Sequence, residues 1–355
     1  MRNGQVAVQR PQGRDKNLDD ATGQTLRKPT LKTIAAMTGL AVPTVSRALS
    51  GAEDISLDTR ARVRAVADQI GYVPNRAGVR LRTGRTNVIS LVMSTEHDVM
   101  NHTAKLISSV AGTLKGTPFH LNITPYFADE DPMKPIRYIV ESGSADAVIF
   151  NQIQPRDPRI RYLLDRRFPF AAHGRSAWSD RHAWFDFDNL EYGALGVREL
   201  VARGRRRLMI IAPPMDQTYA QLMVRGTQEA AAALGVAVAP MPALTSDSPV
   251  DEIEALLRRL LDGPEAPDGI ICGSTNSALA AVAALESCGR SLGRDIDVYG
   301  KEAIVFLRRV RPGLLTVAED VSAAGTFLAR AAMALVREPD SAPMQHLDVP
   351  TGLDP

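Results

Sequence analysis

Thr44, Ser46 and Arg47 stand within four positions of one another in the segment TLKTIAAMTGLAVPTVSRALS, residues 30–50. Two hydroxyls and a guanidinium grouped this closely make a donor set suited to a nucleic acid. Hydroxyls bond phosphate oxygens, which positions a protein without reading bases. A guanidinium can make two parallel bonds to guanine in the major groove. The flanking residues say how such groups would be presented together. Leu31, Ile34 and Ala35 recur at helical spacing behind Thr30, a residue type that caps helix N-termini. Gly39 suits a turn that needs positive φ. Pro43 falls in the first turn of a second helix, where its missing N–H costs nothing. Val45 and Leu49 then face inward, leaving Thr44, Ser46 and Arg47 on the polar face. This is the helix-turn-helix pattern, whose second helix enters a major groove. On these residues alone, an ordinary pair of antiparallel helices is the other reading.

A third helix is expected from Ser56, its cap, to about Ile70, with Val63, Val66 and Ile70 as its apolar stripe. Four pieces then occur in order: TVSRALSG at 44–51, S-x-x-TR-x-RV at 56–63, GYVPN at 71–75, and LRTGRT ending at Thr86, followed by a strand-like run over 87–93. On these motifs the chain resembles the lac repressor (LacI/GalR) family of bacterial transcription regulators. The resemblance implies that Val42, Pro43 and Arg47 occupy base-reading positions, with Thr44 and Ser46 on phosphates. Val42 and Pro43 offer only apolar contact, for instance to a thymine methyl. Ala41 stands where family members commonly carry a capping Ser or Thr.

The resemblance also assigns 75–86 to a hinge. Asn75 would cap a short helix there, Leu81 matches a minor-groove wedge that kinks the duplex, and Arg80 and Arg82 flank it near phosphates. An ordinary core leucine is the other reading of Leu81. Gly78 replaces the usual Ala and lowers helix propensity by up to about 1 kcal/mol. So short a helix is not stable alone in water and should order only when two hinges meet on DNA.

Charge supports a nucleic-acid partner. The chain carries a formal charge of +2, yet residues 1–85 hold 15 Lys/Arg against 7 Asp/Glu while the remainder holds 27 against 33. A basic head on an acidic body is what phosphate attraction requires. Residues 1–27 mix polar and charged types without periodicity and read as a flexible arm, one that adds non-specific DNA contacts or is dispensable. The 355 residues suit two or three domains. No uncharged apolar run is long enough to span a bilayer, and the N-terminus has no apolar core of signal-peptide type. A cytoplasmic protein without membrane contact is expected. Cys272 and Cys288 lack metal-ligand spacing and read as buried reduced thiols.

From Thr86 the pattern alternates. Apolar strand candidates lie at 87–93, 119–124, 146–150, 168–172 and 183–187, then at 207–212, 235–239, 268–272, 296–299 and 314–317. Helical patterns at 190–203, 220–234, 250–261, 276–288 and 322–337 fall among them. Such alternation gives parallel sheets covered by helices. The fold class expected is α/β: a small all-α headpiece over 28–74 and a core over 87–345 of two doubly wound lobes. The first lobe takes about 87–188 plus 318–345 and the second about 189–317. By resemblance this core is like that of periplasmic sugar-binding proteins. Ligands bind beyond the carboxyl ends of strands in open α/β sheets, so a cleft between the lobes is the expected effector site.

The resemblance carries effector positions to Asn101, His102, Thr103, Asp188 and Glu319 in the first lobe and to Met223, Ser274, Lys301 and Glu302 in the second. Asp188 either accepts ligand hydroxyls or caps the following helix, or does both. Met223 stands where many members have a ligand-clamping Arg, Ser274 where Asn or Asp is usual, Glu302 where Asp is usual, and Glu319 where Gln is frequent. Carboxylates without the Arg clamp favour a polyhydroxylated ligand, a sugar or sugar derivative, since carboxylates accept from vicinal hydroxyls. Lys301, Arg308 or Arg309 anchoring a phosphorylated sugar is the alternative.

No enzyme is expected. The chain has no Gly-rich phosphate loop, no His-Glu-x-x-His and no nucleophile elbow, and its six His are scattered, with His97 and His102 five apart. No metal or cofactor is expected from spacing. The reading is a sequence-specific repressor that binds a pseudo-palindromic operator in double-stranded DNA as a homodimer, because two half-sites mirror a two-fold axis. The segment MQHLDVPTGLDP lacks tetramerising heptads. A regulator whose core only dimerises, and an exported-type sugar-binding protein, are the rivals.

Overall fold

Caps fix the N-terminal helices. In a computed structural model, which describes residues 28–73, 80, 84–94, 102–127, 129–302 and 307–353, Thr30 is extended and its hydroxyl accepts from Thr33 N at 3.3 Å. The Thr33 hydroxyl accepts in return from Thr30 N at 3.2 Å. This reciprocal pair satisfies two amides that a helix start leaves open, and α1 runs Leu31–Thr38 until Gly39 takes φ 68°. Helix α2, Val42–Leu49, begins at Ala41 with no side-chain cap and with Pro43 in its first turn. Helix α3, Leu57–Gln69, starts where the Ser56 hydroxyl accepts from Thr59 N at 3.2 Å. Ile34, Val45, Ala48, Val63 and Ala67 form the buried centre; Leu49 is only partly buried. The expected arm at 1–27 and the positions Asn75, Gly78, Leu81, Arg82 and Asn101 lie outside the described residues, as does the side chain of Arg308.

The chain divides between residues 82 and 83 into two compact units. The second contains two all-parallel sheets. One has strand order β11-β5-β4-β3-β1-β2, from β1 Val88–Ser94, β2 His120–Tyr126, β3 Ala147–Phe150, β4 Phe170–His173, β5 Ala183–Phe187 and β11 Gln345–Asp348. The other has order β10-β9-β8-β6-β7, from β6 Arg207–Ile211, β7 Ala237–Pro240, β8 Gly269–Cys272, β9 Asp297–Glu302 and β10 Leu315–Ala318. Period-two alternation sorts the faces of the first sheet. Ile89 and Leu91 bury against α4, Ala104–Leu114, and α12, Val321–Arg337, while Val92, Val148 and Phe150 bury against α5, Met133–Ser142, and α6, Pro158–Asp165. The second sheet is covered by α7, Asn189–Ala202, and α8, Thr218–Leu234, on one face. Its other face carries α9, Val250–Leu261, and α10, Thr275–Ser287, with the short α11, Leu307–Val310, beside it.

The chain passes between lobes after β5, after β10 and after β11. Asp188 N donates to Asp348 O at 2.7 Å, tying the first and last passages together. Two departures from expectation bear on the packing of the core. The segment expected over 235–239 forms a strand only over Ala237–Pro240, because Gly235 takes φ 65° to end α8. The core does not stop at 345: Gln345–Asp348 adds an edge strand beside β5, and Leu353 packs on the second-lobe cluster around Phe187 and Tyr192. Polar residues at three of its four positions hid this strand from hydropathy. Among the described residues, no helix is long and apolar enough to cross a membrane.

Candidate functional site

Two surfaces carry the candidate chemistry, one in each unit. On the headpiece, the N-terminal turn of α2 exposes Pro43 and half-exposes Val42 and Thr44; one turn on, Ser46 is half-exposed and Arg47 exposed. Arg47 is ion-paired with Asp54, both side chains being about half exposed. Exposed pairs of this kind contribute at most about 1 kcal/mol, so Asp54 orients Arg47 without locking it away. Arg62 donates to Thr38 O at 3.1 Å and holds the C-terminus of α1 against α3. Arg80 is exposed.

In the core, a cleft of about 980 Å³, open to solvent, lies between the carboxyl ends of the two sheets. First-lobe walls come from His102 and Thr103 before α4, Asn151 and Gln152 after β3, His173 at the end of β4, and Asp186 in β5. Second-lobe walls come from Thr218 and Tyr219 opening α8, Asp247, Ser274 and Thr275 opening α10, and Lys301 in β9. Phe187, Asn189 and Glu319 line it from the interlobe passages.

Lys301, Glu319 and Asp186 each have a charged partner here. Glu319 Oε2 lies 2.9 Å from Lys301 Nζ, and Oε1 lies 3.3 Å from His102 Nε2. Burial alone would raise the Glu319 carboxyl, but the Lys301 charge, followed by His102, holds it well below the usual carboxylate range. Lys301 also sits 5.4 Å from the Phe187 ring centre and 5.6 Å from that of Tyr219, and donates to Asn189 Oδ1 at 3.4 Å. Asp186 Oδ2 accepts from Arg175 Nε at 2.7 Å, yet burial outweighs that partner and lifts its pKa to about 6. His173 is pushed down to about 4, first by burial and then by the neighbouring His102 charge. Burial drives the Cys272 thiol up, leaving it unreactive, and Cys288 is half-buried.

The loop after β3 is held by a buried ion pair. Arg159 bonds Asp157 at 2.7 and 3.0 Å and donates to the carbonyls of Asn151 and Gln152 at 3.2 and 2.7 Å. Gln152 adopts φ 57°, a conformation most side chains avoid. Across the mouth, Thr218 N donates to Ile153 O at 2.8 Å and Gln154 Nε2 to Asp216 Oδ2 at 2.9 Å. Both bonds join the first lobe to the second.

Of the effector positions expected from sequence, His102, Thr103, Ser274, Lys301 and Glu319 line this cleft, and three others do not. Asp188 is spent on the N-terminus of α7, accepting from Leu190 N and Glu191 N at 3.2 Å each. Glu302 is 2% exposed, and its Oε2 accepts from Leu307 N at 2.8 Å. Strand alternation turns it away from the cleft that its neighbour Lys301 enters. Met223 is fully buried on the face of α8 that packs against α7. Ser274 also closes a capping box with Ser277 at the start of α10. Arg309 is exposed and does not line the cleft. Asn151, His173, Asp186 and Tyr219 were missed, although Asn151 and His173 stand just beyond the ends of expected strands and Asp186 lies within one.

Comparison with known proteins gives the class. Residues 30–75 match bacterial regulatory proteins of the lacI family, and residues 197–355 match the periplasmic binding protein-like domain. The HTH-type transcriptional regulator AglR of Rhizobium meliloti (strain 1021) is 31% identical over 329 residues, spanning 89% of this chain and 90% of AglR. RafR of Escherichia coli, also an HTH-type transcriptional regulator, is 32% identical over 268 residues, 75% of this chain and 79% of RafR. Among solved structures, a lac repressor dimer bound to operator and anti-inducer superposes with TM-score 0.79 at 18% identity, covering 93% of this chain and 98% of that one. The CelR–cellobiose complex superposes with TM-score 0.67 at 24% identity, covering 92% and 99%. A helix-turn-helix headpiece joined to a two-lobed α/β core defines a DNA-binding transcriptional regulator rather than an enzyme. The chain belongs to the lacI family of bacterial regulatory proteins.

Proposed function

We propose that this regulator is a cytoplasmic homodimeric repressor of a pseudo-palindromic operator, released or recruited by an uncharged saccharide held between its lobes. The observation that carries the effector assignment is the pairing of charge inside the cleft. Lys301 is neutralised by Glu319 and Asp186 by Arg175, so among the described residues lining the cleft no lysine or arginine is left over to anchor a phosphate or carboxylate. The remaining lining suits a sugar: carboxylate and amide oxygens accept from vicinal hydroxyls, and Phe187 and Tyr219 offer apolar ring surface. The relative solved with cellobiose supports the same class. Val42, Pro43 and Arg47 serve as base readers, Thr44 and Ser46 as phosphate contacts, and Asn75, Gly78, Arg80, Leu81 and Arg82 as the minor-groove hinge. The saccharide acts through its unequal affinity for the two lobe arrangements, which is the only way a ligand can shift such an equilibrium.

Thermal melting against neutral mono- and disaccharides, sugar acids and sugar phosphates tests this reading. A neutral saccharide at about 100 times its Kd should stabilise the core by about 2.7 kcal/mol, and adding operator DNA to the assay gives the sign of regulation. A response confined to sugar phosphates, or silence with operator binding intact, overturns the effector assignment.

A further inference from the structure

We propose that His102, His173 and Glu319 form a binding site for a divalent transition metal, of the Zn²⁺ class, on the floor of the interlobe cleft. No local spacing in the sequence carries this set, because its members come from the start of α4, the end of β4 and the passage after β10. Folding nevertheless brings one donor atom from each to within 4.8 Å of the others. Glu319 Oε1 stands 3.3 Å from His102 Nε2 and 4.0 Å from His173 Nε2. Two ligands held about 2.1 Å from a tetrahedral ion stand roughly 3.4 Å apart, so the set needs only small side-chain adjustments to close on an ion. The two imidazoles stack, 5.3 Å between centroids and 15° between planes, so one ring must turn for both nitrogens to aim at a single ion.

The surroundings suit an ion that enters from the cleft. The His173 and Glu319 side chains are each 8% exposed, while His102 is 28% exposed and faces the opening. Two imidazoles and a carboxylate are a borderline donor set that favours Zn²⁺, Co²⁺, Ni²⁺ or Cu²⁺ over Mg²⁺ or Ca²⁺. Three protein ligands leave a coordination position open to water or to a ligand oxygen, the arrangement of non-structural zinc sites. Lys301 occupies Glu319 Oε2, so the carboxylate binds through Oε1 alone. Its ammonium also repels the ion, which keeps the affinity modest. An ion would replace the hydrogen bond that now joins His102 to Glu319. The site does not depend on which saccharide the cleft accepts.

The test is melting of chelator-treated full-length protein titrated with Zn²⁺ in the absence of sugar and DNA, with Co²⁺ absorption as a second readout. Zn²⁺ should raise the Tm, EDTA should reverse the rise, and Co²⁺ should give visible ligand-field bands. His102→Gln should weaken the response more than about tenfold, since even outer-shell changes at metal sites cost 10–100-fold. His173→Gln should abolish it, and Lys301→Met should tighten binding. Because His102 is partly exposed, its variant keeps the test decisive if the His173 variant fails to fold. No Zn²⁺-dependent shift in the wild type, or a shift that survives His102→Gln unchanged, overturns the proposal. The saccharide reading is judged separately by sugar-dependent melting in EDTA.

Discussion

At the scale of single residues, two side chains carry most of the predicted behaviour. Arg47 is a surface guanidinium on α2 with one exposed acidic partner. Arg47→Ala should cost about 1–3 kcal/mol of operator affinity and relax preference at one base pair, read by titrating single-base operator variants. Unchanged affinity and selectivity would remove it from the readout. Asp186 behaves differently because burial lifts its pKa from 3.8 to about 6 against the pull of Arg175. Glu319 adds to the upward shift and Lys301 opposes it. As pH falls through about 6 the carboxylate is protonated in the folded chain, and a ligand hydroxyl loses its charged acceptor. Saccharide affinity should therefore rise with pH across this window, and calorimetry from pH 5 to 8 checks it. An Asp186→Asn variant should flatten the profile. The same raised value means that ionising Asp186 costs folding stability as pH climbs from 3.8 toward 6.

Among the elements, the α7–α8 contact is the tightest constraint near the cleft. A Cβ on Gly226 would stand 1.9 Å from the Leu190 carbonyl oxygen, and one on Gly193 2.3 Å from that of Met223. Neither carbonyl can yield without moving a helix. Gly226→Ala should push α8 outward, destabilise the core by more than about 2 kcal/mol, and weaken saccharide binding, because α8 delivers Thr218 and Tyr219. Denaturant unfolding followed by calorimetry would show both losses; full stability would mean the helices part without cost. This contact also explains Met223. Resemblance aligns that position with a ligand clamp, but it lies one turn before Gly226 on the face pressed against α7, where an apolar side chain fills the core. Helical spacing placed it correctly on a helix and could not say which face met the cleft.

For the whole molecule, the two lobes are joined by the chain passages after β5, β10 and β11 and, among the described residues, by the Thr218–Ile153 and Gln154–Asp216 hydrogen bonds. Gln154→Ala removes the bond to Asp216, worth about 1 kcal/mol net. If the arrangement seen here is the one that binds saccharide, Kd should rise about fivefold, with little change in melting of the unliganded protein. Calorimetry decides, and an unchanged Kd would show that closure does not depend on this bond. The loop that supplies Gln154 is anchored by Arg159 and Asp157, a pair split by a single residue, yet sequence offered no reason to place it beside a binding site.

Local chemistry was legible from the sequence. Thr30 before Leu31, Gly39 after Thr38 and Ser56 before Leu57 each dictate a helix end through one or two bonds within a few residues. Alternating strands and helices dictate parallel sheets because each pattern buries only one way. What lies far apart along the chain was not legible. Glu319 meets Lys301, His102 and His173 only after three lobe passages close, and Glu302 differs from Lys301 only by the face of a twisted strand. A one-residue change of side flips a strand residue between core and cleft. Which carboxylate is spent on a cap, which is buried in a core and which faces a ligand is therefore settled by tertiary packing, since each role needs partners that no local stretch of sequence contains.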